Sequence, residues 1–147
     1  MIYYFTGQPG AGKTTIGELL INYLVPRQFI HAPFIHIDGD DIREIFDNKD
    51  YSEMGRRKNI EKAQDIAQFL HEKGYNVVIT LVSPYRGLRS DLKSKAPVTE
   101  IYVHTSEIRG KEKFHVKDYE PPIENFIDLD TTNLTVEESF HRLMERI

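Results

Sequence analysis

The sequence predicts an α/β fold, a five-stranded parallel sheet with helices on both faces. Short apolar runs, rich in β-branched and aromatic residues, alternate with segments whose apolar residues have helical spacing. The first apolar run leads directly into a glycine-rich turn. Such alternation is typical of a parallel sheet, because parallel neighbours need a long crossover connection, which is usually a helix. Ligands of such folds bind beyond the carboxyl ends of the strands, so functional residues are expected at that edge.

Five segments have the composition of strands. Residues 2–5 form an apolar and aromatic run, and residues 76–82 are almost wholly apolar and β-branched, which indicates a central strand. The other predicted strands cover residues 34–37, 100–103 and 126–129.

Five segments predict helices. The clearest begins at Lys13, because Ile16, Leu20 and Leu24 recur at helical spacing and Pro26 ends the pattern. The other predicted helices cover residues 41–46, 52–73, 86–95 and 135–147.

The last third of the chain also contains a long connection and a capping motif. Residues 106–122 are polar and basic and end in two prolines, which indicates a mobile loop. Thr135 and Glu138 form a capping box, which predicts the start of the closing helix. The sequence has no repeat or linker, so residues 1–147 are expected to form one domain.

The composition excludes several classes of protein. The 147 residues include 19 Lys and Arg against 23 Asp and Glu, a formal charge of −4, which argues against nucleic-acid and membrane-surface binders. The absence of cysteine excludes disulfides, thiolate zinc sites and cysteine nucleophiles. No secretory leader precedes the first strand, and no apolar run has membrane-spanning length. A cytoplasmic protein is therefore expected.

The six histidines show no spacing typical of a metal site. His36 lies in an apolar strand, which favours a packing role. His115 lies in the basic loop, where contact with a substrate is the less favoured alternative. The remaining histidines are His31, His71, His104 and His141.

Residues Gly7 to Thr14 match the phosphate-binding pattern G-x-x-x-x-G-K-[ST] between a predicted strand and a predicted helix. The glycines let backbone amides surround phosphate oxygens, and the helix amino terminus favours negative charge. Lys13 would neutralise the β- and γ-phosphates, and Thr14 would hold Mg²⁺. The strand–loop–helix context disfavours a chance match.

We therefore expect a P-loop NTPase fold of the nucleoside-monophosphate-kinase type, with ATP and Mg²⁺ as cofactors. The predicted nucleotide-binding residues are Gly7, Pro9, Gly10, Ala11, Gly12, Lys13, Thr14 and Thr15.

Charged residues follow the predicted strand at residues 34–37. Asp38 could accept the proton of an acceptor hydroxyl or bind Mg²⁺ through water, and Arg43 could bind an anionic group with its forked donors. For Asp41, an N-cap role at a solvated helix is the favoured alternative.

Two further segments carry arginines to the same edge. Arg56 and Asn59 lie one turn apart on the predicted helix, and Ser83-Pro84-Tyr85-Arg86 follows the central strand directly. Exposed arginines are usually only solvated. Three Arg-bearing segments that converge on one edge nevertheless predict an acceptor that is already anionic.

In combination, these motifs resemble the adenylylsulfate (APS) kinase family over most of the chain. The matching motifs are Phe5-Thr6-Gly7 before Gly10-Ala11-Gly12-Lys13, Asp38-Gly39-Asp40 with Arg43, Ser52 with Arg56 and Asn59, Ser83-Pro84-Tyr85-Arg86, and Tyr119-Glu120-Pro121-Pro122. Residues 128–138 resemble the family's segment beside the ATP adenine, which implies a nucleotide contact for Thr132. The combination is more specific than the P-loop alone.

The resemblance implies an ATP-dependent phosphotransferase with an alcohol group as acceptor, the 3′-hydroxyl of adenosine 5′-phosphosulfate in sulfate assimilation. It implies that Asp38 serves that hydroxyl or a water-bound Mg²⁺, with Asp40 in support. Tyr51 replaces a stacking Phe of the family, and Asp41 replaces an Asn, which adds negative charge near the substrate. The implied acceptor-binding residues are Asp38, Arg43, Tyr51, Arg56, Asn59, Ser83, Pro84, Tyr85, Arg86 and Phe114.

The segment at residues 105–122 departs from the family. The family has a long helical lid there, and this chain has a short lid loop. Lys111, Lys113 and Phe114 remain, which implies two catalytic lysines and a second stacking partner for the acceptor. A solvated basic loop is the equal alternative for Arg109 and the lysines. Because lid closure excludes water, the short lid predicts a slower enzyme, a looser acceptor preference or another acceptor.

Three functions are therefore open: an APS kinase, a kinase of another 5′-substituted nucleotide or small hydroxyl compound, or a nucleotide-dependent binding module. The acceptor-side motifs favour the first, and Asp41 with the short lid favours the second. The complete set of Lys13, Thr14 and Asp38 disfavours the third. The expected partner is a small nucleotide acceptor, and the resemblance implies a homodimer.

Overall fold

The structure is a computed structural model that describes residues 1–27 and 32–147, so His31 lies outside the described residues. Five strands alternate with helices, as predicted. The strands are β1 Ile2–Thr6, β2 Phe34–Asp38, β3 Asn76–Leu81, β4 Val98–His104 and β5 Phe126–Asp130. The helices are α1 Lys13–Leu24, α2 Gly39–Ile45, α3 Glu53–Glu72, α4 Arg86–Lys95 and α5 Val136–Met144. Short 3₁₀ turns cover Val25–Arg27 and Glu112–Phe114.

The five strands form one sheet in the order β2-β3-β1-β4-β5, and every pair is parallel. This confirms the predicted fold class. In register, Ile2 of β1 pairs with Val77 and Val98, while Asp38 of β2 pairs with Thr80. The carboxyl ends of β1, β2 and β3 therefore meet at one edge of the sheet.

Each face of the sheet carries its own hydrophobic core, because successive residues of a strand point to opposite faces. One core joins Ile2 and Tyr4 with residues of β2, β3, α2, α3 and α4. The other joins Phe5 with residues of α1, β4 and α5. Burying an apolar side chain of this size contributes about 1.5–3 kcal/mol. The two cores fix the helices that lead into the edge.

Side chains cap three of the helices. Ser52 caps α3 by accepting from the amide of Gly55 at 3.3 Å, and Thr135 caps α5 by accepting from Glu138 at 3.1 Å, as expected. The N-cap of α2 is Asp38 rather than Asp41, which corrects the sequence interpretation. Helix α2 begins immediately after β2, so the last strand residue caps it.

Among the described residues, no helix is both long and apolar enough to span a membrane.

Candidate active site

The P-loop joins β1 to α1 and is fixed by close backbone contacts. The amide of Gly7 donates to the carbonyl of Val82 at 3.3 Å, and a Cβ on Gly7 would overlap the carbonyl oxygen of Val103. Gly12 has a φ of 105° at the N-cap of α1, a left-handed conformation that glycine adopts without strain. The spacing of the glycines therefore has a geometric cause.

Lys13 is the buried cation of the P-loop. Its side chain is 8% exposed, and its Nζ donates to the carbonyl of Gln8 at 2.9 Å. Burial lowers the pKa of Lys13 from 10.5 to about 8, although the carboxylates of Asp38 and Asp40 act to raise it. A phosphate bound at this position would be a counter-ion for the buried ammonium group.

Asp38 lies beside the P-loop, at the carboxyl end of β2. Its Oδ1 accepts hydrogen bonds from the hydroxyls of Thr14 at 2.9 Å and Thr80 at 2.6 Å. Its Oδ2 accepts from the backbone amide of Asp40 at 3.3 Å. The carboxylate is therefore held by the P-loop, by β3 and by α2. Asp41 is exposed on α2.

A cleft of about 710 Å³ opens beside Lys13 and Asp38. It is bordered by the P-loop, α2, α3, the end of β3 and the lid loop. Its predicted residues are Pro9, Gly10, Lys13, Thr14, Asp38, Asp40, Arg43, Tyr51, Arg56, Asn59, Ser83, Pro84, Lys111, Lys113 and Phe114. The structure thus brings the donor side and the acceptor side of the predicted site into one space. His115 also lines the cleft, although contact with a substrate was the less favoured prediction for this residue.

Arg43 and Tyr51 form one wall of the cleft. The guanidinium of Arg43 lies 3.9 Å from the centre of the Tyr51 ring and donates to the carbonyls of Asn48 at 3.1 Å and Asp50 at 3.0 Å. The ring of Tyr51 is 63% exposed. An aromatic face backed by a cation is therefore open to a flat ligand.

Arg56 and Asn59 lie on the α3 side of the cleft. Arg56 is half-buried, and within residues 1–27 and 32–147 its guanidinium has no hydrogen bond or ion pair. Asn59 is buried and donates to the carbonyl of Gly39 at 3.3 Å, while its Oδ1 has no hydrogen-bond partner in the same part of the chain. A cation without a counter-ion and a buried amide oxygen without a donor both indicate a polar ligand.

A family model described as adenylylsulphate kinase matches residues 1–127 of this chain. The chain belongs to the adenylylsulphate kinase family. Cytidine diphosphoramidate kinase of Campylobacter jejuni is 31% identical over 137 residues, which cover 88% of this chain and 77% of that protein. Adenylyl-sulfate kinase of Vibrio cholerae is 30% identical over 138 residues, which cover 88% of this chain and only 63% of that protein.

A solved structure, Mycobacterium tuberculosis APS kinase CysC in complex with AMPPNP and APS, shares the fold at a TM-score of 0.79 and 18% identity. The match covers 98% of this chain and 95% of that chain. The family confirms the resemblance drawn from the motifs. This member of the adenylylsulphate kinase family is therefore an ATP-dependent phosphotransferase that acts on an alcohol group.

In this kinase, the lid loop is attached to the P-loop at two points. The side-chain amide of Gln8 donates to the carbonyl of Val116 at 2.9 Å and accepts from its backbone amide at 2.8 Å. Arg109 donates to the carbonyl of Ala11 at 3.1 Å, to that of Thr131 at 3.0 Å and to the carboxylate of Glu107 at 2.8 Å. The lid loop therefore lies across the phosphate loop.

The lid lysines reach the cleft. Lys111 packs on Gly10, where a Cβ would lie 3.0 Å from Cβ of the lysine. Lys113 lies with its ammonium 5.0 Å from the centre of the Phe114 ring, and both lysines are exposed. Phe114 is 57% exposed, so its ring is available to a ligand in the cleft.

Four predicted site residues have other surroundings. The ring of Tyr85 lies 4.2 Å from the guanidinium of Arg57, outside the cleft lining. Arg86 donates from its backbone amide to the carboxylate of Glu120 at 2.8 Å and from its guanidinium to the carbonyl of Pro121 at 2.9 Å. Neither Tyr85 nor Arg86 lines the cleft, and Arg86 contacts the end of the lid loop. Thr15 is exposed on α1, and Thr132 accepts from the amide of Ser106 at 2.9 Å.

A buried ionic group behind the site was not predicted from the sequence. Arg89 is 1% exposed and donates to the carboxylate of Glu100 at 2.7 Å, to the carbonyl of Ser83 at 2.6 Å and to that of Glu120 at 2.6 Å. Lys93 also pairs with Glu100, at 2.8 Å. Arg89 therefore joins the end of β3 to the end of the lid. The spacing of three residues between Arg86 and Arg89 on the predicted helix, which places both on one face, could have indicated this residue.

Proposed function

We propose that this kinase transfers the γ-phosphoryl group of ATP to the 3′-hydroxyl of adenosine 5′-phosphosulfate, which yields the 3′-phosphorylated adenylyl sulfate and ADP. The observation that carries the proposal is Arg56, whose guanidinium has no partner among the described residues, beside Asn59 in the same cleft as Lys13 and Asp38. The buried cation of the P-loop suits the donor phosphates. The second cation suits an acceptor that carries its own negative charge.

The donor side needs charge neutralisation, because phosphoryl transfer depends mainly on positioning and electrostatics. Lys13 and the P-loop amides would bind the β- and γ-phosphates, with Lys111 and Lys113 approaching from the lid. The Thr14 hydroxyl donates its proton to Asp38, so its lone pairs are free for Mg²⁺. No group of three or more metal-ligating residues occurs in residues 1–27 and 32–147, which suits a Mg²⁺ ligated largely by phosphate and water.

The acceptor side needs an oriented hydroxyl. Asp38 would accept the hydrogen bond of the 3′-hydroxyl and align its oxygen with the γ-phosphorus, with Asp40 beside it. Arg56, Asn59 and Arg43 would bind the charged 5′ group and the ribose. The exposed rings of Tyr51 and Phe114 would contact the base.

A second acceptor class is supported by one relative. The Campylobacter jejuni protein is a cytidine diphosphoramidate kinase, so another 5′-substituted nucleotide, with a pyrimidine base, is the second candidate. The short lid also favours this alternative. Arg56 and Asn59 suit either acceptor, because both carry a charged 5′ group. Asp41 does not discriminate between them, since it is exposed and outside the cleft lining.

The decisive experiment measures ADP release from Mg-ATP with adenosine 5′-phosphosulfate, with cytidine diphosphoramidate and without acceptor. Saturable turnover with the phosphosulfate, together with a product phosphorylated at the 3′ position, supports the first candidate. Turnover with the cytidine compound alone replaces it with the second. Asp38→Asn should bind ATP normally and lose about 100-fold or more in turnover with the accepted compound. Near-normal turnover of this variant would remove Asp38 from the mechanism.

A further inference from the structure

We propose that Thr80 and His36 are positioning residues, which hold the carboxylate of Asp38 in the orientation that phosphoryl transfer requires. The inference rests on the proposed role of Asp38 as the group that orients the acceptor hydroxyl. Asp38 Oδ1 lies 2.6 Å from the hydroxyl of Thr80, and the same hydroxyl oxygen lies 2.8 Å from Nε2 of His36. The three side chains form one hydrogen-bonded chain that ends at the site.

The direction of this chain follows from the donors available. An ionised carboxylate only accepts hydrogen bonds, so the single proton of the Thr80 hydroxyl points to Asp38. The contact between Thr80 and His36 then needs a proton from the imidazole. His36 must therefore carry a proton on Nε2 and donate it to the Thr80 oxygen. This donation polarises the hydroxyl and strengthens its hydrogen bond to the carboxylate.

The chain also determines which oxygen of Asp38 remains open. Each carboxylate oxygen has two lone pairs. On Oδ1, both are used by the hydroxyls of Thr14 and Thr80. On Oδ2, the amide of Asp40 uses one. The remaining lone pair of Oδ2 is the acceptor left for a substrate hydroxyl.

Packing fixes the rotamer of Thr80. The side chain is 2% exposed, and its methyl group Cγ2 would lie only 2.9 Å from a Cβ added to Gly17 of α1. The methyl group is thus packed against the helix. In the strand register, Thr80 is the direct partner of Asp38, and His36 lies two residues before Asp38 on the same face of β2.

A purely structural role does not require these residue types. Valine has nearly the same shape as threonine and could fill the space beside Gly17, but it lacks the hydroxyl that contacts Asp38 and His36. A hydroxyl at a buried strand end needs a partner, and here its partners are the carboxylate of Asp38 and the imidazole of His36. Because small displacements of a reacting group reduce rates strongly, fixing Asp38 should act on turnover more than on binding.

The test compares Thr80→Val, which removes the hydroxyl, with Thr80→Ser, which keeps it. In steady-state kinetics with the acceptor that the wild type uses, we expect Thr80→Val to lower kcat about tenfold or more. The KM for ATP should stay within about twofold, and Thr80→Ser should recover most of kcat.

His36→Leu should resemble Thr80→Val in kcat, whereas His36→Gln, which retains an N–H donor, should be less affected. A thermal unfolding measurement on each variant serves as the folding control, because a variant that does not fold shows no cooperative transition. Wild-type kcat in a folded Thr80→Val would overturn the proposal, and so would equal losses in the Val and Ser variants.

A second measurement does not depend on any acceptor. Proton–nitrogen NMR of the wild-type protein should show His36 as the Nε2–H tautomer, with an exchange-protected proton that loses its protection in Thr80→Val. The Nδ1–H tautomer, or unchanged protection in the variant, would overturn the hydrogen-bond chain. If the wild type phosphorylates no acceptor tested, the proposed function fails, and these NMR outcomes alone decide whether Thr80 and His36 hold Asp38.

Discussion

Arg56 and Arg57 are neighbours on α3, yet among the described residues only the guanidinium of Arg57 has a partner. The guanidinium of Arg57 donates to Glu53 at 3.2 Å and lies 4.2 Å from the centre of the Tyr85 ring. Arg56 lines the cleft, and its guanidinium has neither hydrogen bond nor ion pair in the described part of the chain. The two side chains therefore offer a matched test of whether the cleft binds an anion.

Arg56→Met should raise the KM for the acceptor about 10- to 100-fold, because a hydrogen bond to a charged group contributes about 1.5–3 kcal/mol. Steady-state kinetics at saturating ATP measures this effect. Arg57→Met is the control and should stay within about twofold, because an exposed i,i+4 ion pair contributes little. Equal effects of the two substitutions would argue against an anionic acceptor group at Arg56.

The lowered pKa of Lys13 predicts that nucleotide binding takes up a proton. Burial places this pKa at about 8 in the free protein, and the phosphates of a bound nucleotide would raise it again. Above that pH, the free lysine is neutral and the bound lysine is protonated, so affinity falls as the pH rises. Calorimetry at about pH 8.5, in buffers of different ionisation enthalpy, should show a buffer-dependent binding enthalpy.

Lys13→Arg is the control for this titration, because arginine stays protonated in proteins. In that variant, the dependence of the binding enthalpy on the buffer should disappear, provided that nucleotide binding is retained. An enthalpy that is independent of the buffer in the wild type would contradict the assigned pKa.

The sequence pattern was sufficient to locate those site residues whose place in the cleft depends only on the position of the backbone. Lys13 follows β1 in the P-loop, and Asp38 ends β2, so the predicted sheet already located both. Arg56 could be placed because helical spacing puts it on the same face as Asn59. The direction in which a long side chain points was harder to predict from the sequence. Arg86 follows β3 directly, but its guanidinium turns to the carbonyl of Pro121.

Hydrogen bonds between distant segments could not be predicted from spacing. Gln8 contacts Val116 across 108 positions, and Thr80 contacts Asp38 across 42. Nothing in the local pattern distinguishes a buried threonine that packs from one that also donates to a carboxylate in the cleft, as Thr80 does to Asp38. His36 shows the same limit, because its position in an apolar strand predicted only a packing role.

Gln8 should control how well the short lid excludes water. Its side chain makes two hydrogen bonds to the backbone of Val116, each expected to contribute about 1 kcal/mol. Gln8→Leu should therefore increase hydrogen exchange at the Val116 amide. It should also raise ATP hydrolysis in the absence of acceptor, because an opened lid admits water to the γ-phosphate.

Gln68→Leu is the matched control for the lid, since Gln68 donates to Glu72 on the exposed face of α3. Neither exchange at Val116 nor acceptor-independent hydrolysis should change in that variant. Unchanged exchange at Val116 in Gln8→Leu would show that other contacts hold the lid on the P-loop.

Arg89→Met should destabilise the protein more than any surface substitution proposed here. The change leaves Glu100, which is 4% exposed, without its closest partner and removes the donors to the carbonyls of Ser83 and Glu120. Breaking a buried ion pair costs about 3–5 kcal/mol, and Lys93 at 2.8 Å from Glu100 should keep the loss near the lower end. Urea denaturation measures the free energy of unfolding.

The double variant Arg89→Met, Glu100→Gln separates the contribution of the buried charge to the free energy of unfolding from the contribution of the other Arg89 contacts. Without an ionised carboxylate, the buried site no longer contains an undercompensated charge, so part of the lost free energy of unfolding should return. If the double variant is as unstable as the sum of the two single variants, the carbonyl contacts of Arg89 matter more than its ion pair. Turnover should then fall in both Arg89 variants, because Arg89 links the end of β3 to the end of the lid through the carbonyls of Ser83 and Glu120.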